Sequence, residues 1–134
     1  MSEDVYKEII LDHYKNPHNF GRMQNPDFKA SDTNPLCGDH VEIQVKLDKG
    51  KVSDVKFIGR GCAISQASAS LLTDLIMGMS LEELQKFDKE QLLEAMGNPD
   101  LGPVRIKCAL LSLKTLKLGL YSYLSKNSEG ADHT

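Results

Sequence analysis

The residues of this chain with the most specific chemistry are three cysteines and one aspartate. Cys37 lies in Asn34-Pro-Leu-Cys-Gly-Asp39, with Cys62 and Cys108 further along. A thiolate on a glycine-containing turn, with a carboxylate two residues later, offers sulfur and oxygen to one ion. Together with Cys62 and Cys108 the set would fill a tetrahedron. No Cys-x-x-Cys pair exists, so spacing alone matches neither a zinc ribbon nor a thioredoxin-type motif. On the residues alone two readings stay open. One is a shared metal site. The other is three unrelated thiols, since a free cysteine is often buried and behaves as a small hydrophobe. Cys108, beside Ala109 and Leu110, suits the second reading; Cys37, in a Pro-Leu-Cys-Gly-Asp turn, does not.

Around these residues the chain has the composition of a soluble globular protein, with 134 residues, 40% hydrophobic and 26% charged. Its net charge of -3 is evenly spread, with no Lys/Arg cluster interleaved with aromatics, which argues against a nucleic-acid partner. The acidic start lacks the basic and apolar regions of a signal peptide, and no apolar run reaches spanning length. A cytoplasmic protein with no membrane partner is expected. Three cysteines cannot all pair within one molecule, and in a reducing compartment thiols or thiolate ligands are expected.

The elements that must position these groups follow from periodicity. Val5, Ile9, Ile10, Leu11, His13 and Tyr14 predict a helix, with Ser2, Glu3 and Asp4 at its start, ending by Lys15 ahead of Asn16-Pro17. Residues 16–27 read as a long connection and Phe28 to Thr33 as a short edge strand. Val41 to Leu47 alternates apolar and polar residues, Asp48-Lys49-Gly50 is a turn, and Val52 to Ile58 is the partner strand. Gly59-Arg60-Gly61 allows a tight path into Cys62, followed by a helix to Met77 whose buried face is Ile64, Ala67, Ser68, Leu71, Leu72, Leu75 and Ile76. Ser80 with Glu83, and Asp88 with Gln91, are capping-box patterns for two short helices. A last helix is predicted from about Arg105 to Leu124, leaving residues 126–134 as a disordered tail beyond a single domain of residues 1–125.

On this reading Cys62 and Cys108 fall in or near the first turn of a helix, where free N–H groups and the dipole favour a thiolate. His40 should point away from Asp39 by strand alternation and reads as a surface histidine. His13 and His18 have no mutual spacing that defines a site, and His133 is in the tail. Met77, Met79 and Met96 read as core or helix-end residues. Arg60 beside Cys62 is either a support for the thiolate or simply solvated.

Three motifs carry a resemblance to a known family: Asn34-Pro-Leu-Cys-Gly-Asp39, Gly59-Arg-Gly-Cys-Ala-Ile-Ser-Gln-Ala-Ser-Ala-Ser70, and Leu101-Gly-Pro-Val-Arg-Ile-Lys-Cys-Ala109. With His13-Tyr-Lys-Asn-Pro17 and Asn19-Phe-Gly21, they resemble the iron–sulfur cluster assembly scaffolds: IscU, SufU and the N-terminal domain of NifU. The likeness runs from about Tyr6 to Leu120. It implies an α+β fold with a small antiparallel three-stranded sheet, helices packed on one face, and a metal site at one exposed end. It further implies that Cys37, Asp39, Cys62 and Cys108 hold a [2Fe-2S] cluster built with sulfur from a cysteine desulfurase and passed to apo iron–sulfur proteins. An oxygen ligand is more exchangeable than a fourth thiolate, which suits release. The same ligands could take Zn2+ in the cluster-free form, and a homodimer is one arrangement the resemblance leaves open.

Two departures from the pattern matter. Where IscU proteins have histidine before the third cysteine, this chain has Lys107, which when protonated has no lone pair for a metal. It is instead a candidate to offset the charge of bound thiolates and sulfide. The segment Leu101 to Arg105 aligns with the motif by which IscU proteins recruit a DnaK-type chaperone, but Gly102 replaces a proline and Arg105 a lysine. SufU proteins carry an insertion between the second and third cysteines that is missing here. The alternative function is therefore a zinc-dependent sulfurtransferase in which Cys37 accepts persulfide sulfur from the desulfurase; the scaffold itself would be a carrier rather than an enzyme.

Overall fold

The alternation from Val41 to Leu47 belongs to the central strand of an antiparallel sheet. The structure, a computed structural model, describes residues 3–35 and 38–132. The sheet comprises β1 (Phe28–Asn34), β2 (Asp39–Asp48) and β3 (Lys51–Arg60), in the order β1-β2-β3. The β2–β3 hairpin closes through Lys49 and Gly50, whose φ values of 55° and 77° give the left-handed pair that such a two-residue turn requires. Register runs from Asp48↔Lys51 to His40↔Arg60 with one irregularity at Lys46/Leu47, and Asn34 pairs with Asp39 across β1–β2. One face of β2 presents Val41, Ile43 and Val45 to the core, joined by Val55 and Phe57 of β3, all essentially inaccessible.

Five helices complete the fold: α1 (Glu3–Lys15), α2 (Ala63–Ile76), α3 (Leu81–Lys86), α4 (Lys89–Ala95) and α5 (Pro103–Asp132). α2 and α5 pack on the sheet and on each other, and α1 packs on α2. The expected capping boxes are present at Ser80/Glu83 and Asp88/Gln91. The connection after α1 pairs along β3, with Phe57 N–H donating to Asn19 O and Gly21 N–H to Phe57 O. That contact covers an edge that would otherwise be open. Among the described residues no helix is long and apolar enough to cross a membrane.

The helices depart from expectation in their details. On α1, Leu11 and Tyr14 are about half exposed, at 50% and 47%, while Ile10 and His13 are buried where the helix packs on α2. α2 is buried well beyond its predicted apolar face: Ser65, Ser70 and Thr73 are fully inaccessible along with the predicted Ser68, since the helix is enclosed by the sheet, α1 and α5. α5 begins at Pro103, suited to a first helical position, and extends to Asp132. Ser2 and His133 lie outside the described residues.

Burial, and then the neighbouring His18, hold His13 below its ordinary value of 6.5, while Asp74 and Asp12 oppose the shift. The unfolded chain therefore takes up this proton at a higher pH than the folded one. The associated stability is complete above about pH 6.5 and is lost as pH falls towards the lower folded value. Urea unfolding of metal-free protein between about pH 7.5 and about pH 5.5 should show His13→Gln losing less stability than the parent. Equal losses would remove His13 as the cause.

Candidate metal centre

Strand parity places Asp39 on the same face of β2 as Val41 and Ile43, at the end of the strand, where it is completely buried. Cys62 caps the N-terminus of α2 in extended conformation, its Sγ accepting from Ser65 N–H at 3.4 Å. The two meet directly: Cys62 N–H donates to Asp39 Oδ1 at 2.8 Å, and Cys62 Sγ lies 3.6 Å from Asp39 Oδ2. Cys108, 1% exposed, comes from α5; it accepts from Asn34 Nδ2 at 3.7 Å and donates to Val104 O at 3.6 Å. One ligand atom each from Asp39, Cys62 and Cys108 falls within 4.8 Å of the others. Bonds of about 2.3 Å to sulfur and about 2.1 Å to oxygen give a tetrahedral edge of about 3.6 Å, so the Cys62–Asp39 pair has the spacing of two ligands on one ion.

Cys37 lies outside the described residues, in the four-residue connection between the paired Asn34 and Asp39. Cys108 is the sixth residue of α5 rather than a first-turn residue, because the helix starts earlier than its apolar period suggested. Cys62 thus stands at a helix N-terminus, while Cys108 lies beyond the first turn, where the dipole effect has faded. Lys107 is exposed and lines a surface cleft with Asn34, Pro35 and Lys114, next to the asparagine that touches Cys108. His40 bonds Thr33 Oγ1 through Nδ1 at 3.0 Å and is not in the cluster, in keeping with its alternation away from Asp39. Arg60 is exposed, Met96 is buried, Met79 packs against the core, and Met77 is 39% exposed.

The residue that permits the Asp39–Cys62 contact is Gly61. Its φ is 133°, and a Cβ built there would lie 2.8 Å from Asp39 Cα and overlap the carboxylate. Gly61→Ala should therefore displace Asp39 while leaving the rest of the sheet paired. We expect a destabilisation of about 1–3 kcal/mol by urea unfolding and about a tenfold or greater weakening of zinc affinity in competition with a chromogenic chelator. Unchanged affinity would show that the Asp39 position is not needed to hold metal.

A second group of metal-capable side chains was missed in the sequence. His13 and His18, which have no motif spacing, converge with Asp12 so that one ligand atom of each lies within 4.8 Å of the others. His13 Nδ1 is 2.8 Å from Ser70 Oγ and His18 Nδ1 is 2.5 Å from Asp74 Oδ2. No signal along the chain links these residues, because the partners on α2 are more than fifty positions away.

The family described as the NifU-like N terminal domain matches residues 5–130. The zinc-dependent sulfurtransferase SufU of Bacillus subtilis (strain 168) is 37% identical, with 88% of this chain and 90% of the relative covered. The iron–sulfur cluster assembly scaffold protein IscU of Escherichia coli (strain K12) is 35% identical, with 91% and 96% covered. The crystal structure of a nitrogen-fixing NifU-like protein (N-terminal) from Brucella abortus superposes with a TM-score of 0.75 at 22% identity, covering 92% of this chain and 97% of that one, which speaks to the fold alone. With a matching family over nearly its whole length, and the α+β fold of that family, the chain belongs to the NifU-like N-terminal domain family of iron–sulfur cluster assembly scaffolds.

Proposed function

We propose that this protein builds a [2Fe-2S] cluster on Cys37, Asp39, Cys62 and Cys108 and passes it to apo iron–sulfur proteins. The observation that carries the proposal is the convergence of Asp39, Cys62 and Cys108 from β2, the start of α2 and α5. Cys37, two residues before Asp39, supplies the fourth ligand. Sulfur arrives as the sulfane atom of a persulfide on a cysteine desulfurase and is reduced to sulfide by an external thiol or electron donor. Ferrous iron comes from solution. Thiolates hold the irons tightly, while the single carboxylate is the ligand that exchanges most readily, so Asp39 is where an acceptor's thiolate enters. Lys107, at the cleft beside Asn34, offsets the negative charge of the assembled site. The exposed Val104 and Arg105 make the Leu101–Arg105 segment available to a DnaK-type chaperone.

A second reading uses the same ligands. The 3.6 Å between Cys62 Sγ and Asp39 Oδ2 is the edge expected around a single tetrahedral ion, zinc or iron alike, so the set also suits a zinc-loaded state. In a zinc-dependent sulfurtransferase that state is the working form, and Cys37 takes the sulfane sulfur from the desulfurase persulfide.

Anaerobic incubation of metal-free protein with a cysteine desulfurase, cysteine, ferrous iron and a thiol separates the two. The scaffold reading expects two irons and two sulfides per cluster, a visible absorption band, and transfer to an apoferredoxin that is slower from Asp39→Ala. One cluster per chain or per two chains tells an intrachain site from a homodimer-bridging one. If no cluster forms, and zinc-loaded protein only accelerates desulfurase turnover in a manner lost in Cys37→Ser, the sulfurtransferase reading holds instead.

A further inference from the structure

We propose that Asp12, His13 and His18 form a second site for a divalent first-row transition ion, built from two imidazole nitrogens and one carboxylate oxygen and separate from the cysteine site. The three residues come from the end of α1 and the turn after it. Their ligand atoms already lie within 4.8 Å of one another, and the two rings stand with centroids 4.4 Å apart at 47°.

The surroundings of the two imidazoles are what distinguish this group from a chance cluster. Each ring has its Nδ1 taken by a fixed partner: Ser70 Oγ for His13 and Asp74 Oδ2 for His18. Each therefore has Nε2 left to give. A carboxylate or hydroxyl on the far nitrogen of a ligating histidine sets its tautomer and orientation and raises its basicity. The partners are themselves held. Asn19 Nδ2 donates to Asp74 Oδ1 at 3.0 Å and to Thr73 Oγ1 at 2.9 Å. The backbone N–H of His18 donates to Ser70 Oγ at 2.7 Å, tying the turn to α2. Asn19 adopts a left-handed φ of 55° to make these contacts, a conformation uncommon outside glycine.

Charge and access agree with this assignment. His13 is buried against α2, where Ser70 Oγ holds its ring in place. Asp12 and Asp74 supply two negative charges to set against a dication. The side chain of His18 is 42% exposed and Asp12 is exposed, which leaves the solvent side open for exchange and for water ligands. Two histidines and one carboxylate with open positions are a donor set used by ferrous, cobalt, nickel and zinc ions. It lacks the thiolates of the cysteine site. Ser70 is eight residues along α2 from Cys62, about 12 Å at helical rise, so the two sites can be filled independently.

The test uses the full-length, tag-free protein with cobalt(II) as probe, under anaerobic conditions after chelator treatment. Optical titration should reveal two saturable equivalents, one with an intense thiolate-to-cobalt charge-transfer band and one without. In 15N spectra, the second should broaden the amides of His18, Asn19 and Ser70. His18→Gln and Asp12→Asn should each weaken the second equivalent about tenfold or more, and Asp74→Asn by about 10–100-fold through loss of the carboxylate behind His18. The charge-transfer band and circular dichroism should be unchanged in all three. A single equivalent in the parent protein overturns the proposal. So does a second equivalent that survives His18→Gln and Asp12→Asn, which would assign it to another histidine such as His40 or His133.

Discussion

A carboxylate taken out of water must be answered by donors, and in this fold the backbone N–H of Cys62 answers Asp39. Burying an ionised carboxylate without compensation costs several kcal/mol. The donor here belongs to the residue that caps α2, where backbone N–H groups have no intrahelical partner. One hydrogen bond therefore serves two needs, satisfying an acid at the end of a strand and a free donor at the start of a helix. It also fixes a thiol against a carboxylate at a ligand-like separation. The contact depends on a glycine between β3 and α2, since any side chain at residue 61 would occupy the carboxylate's place.

The central position of α2 depends on small polar residues rather than large apolar ones. Its Ala and Ser residues let the sheet, α1 and α5 approach together, and the hydroxyls are paired within the protein. Ser68 Oγ donates to Ala109 O, one residue after Cys108, and lies 3.3 Å from Ser112 Oγ. Ser70 serves both His13 and the backbone of His18. A helix lined this way binds its neighbours through directional bonds as much as through apolar area. That specifies the relative position of Cys62 and Cys108 more tightly than a leucine interface of the same width.

Much of this was legible in the chain because the signals are local. Val41 to Leu47 could be read as a strand from alternation alone, the Lys49-Gly50 turn from its residue types, and α3 and α4 from side chains that cap their own helices three residues on. The convergence of Asp39 with Cys62 was one of two open readings on residue types and was favoured by motif resemblance, since their proximity is created by a hairpin rather than by spacing. Leu11 and Tyr14 share the period of α1 and are still exposed, because periodicity reports which residues share a face, not whether a neighbour covers it. The Asp12, His13 and His18 group was invisible for a related reason: its supporting partners, Ser70 and Asp74, are brought near by the packing of α1 on α2. The start of α5 was placed late because Pro103, Val104 and Arg105 are exposed and carry no apolar period.

The three described members of the cysteine site come from parts of the chain that only the folded state brings together. An ion bound across them acts as a cross-link, closing one loop from residue 39 to residue 62 and another from residue 62 to residue 108. Such closures cost the unfolded ensemble entropy that the native state has already given up, and any ligand specific to the native state adds its binding free energy to stability. Loading and compactness are thus the same equilibrium seen from two sides. A partner that loosens the junction of β2, α2 and α5 lowers affinity for whatever the site carries, and removing that cargo loosens the junction in return.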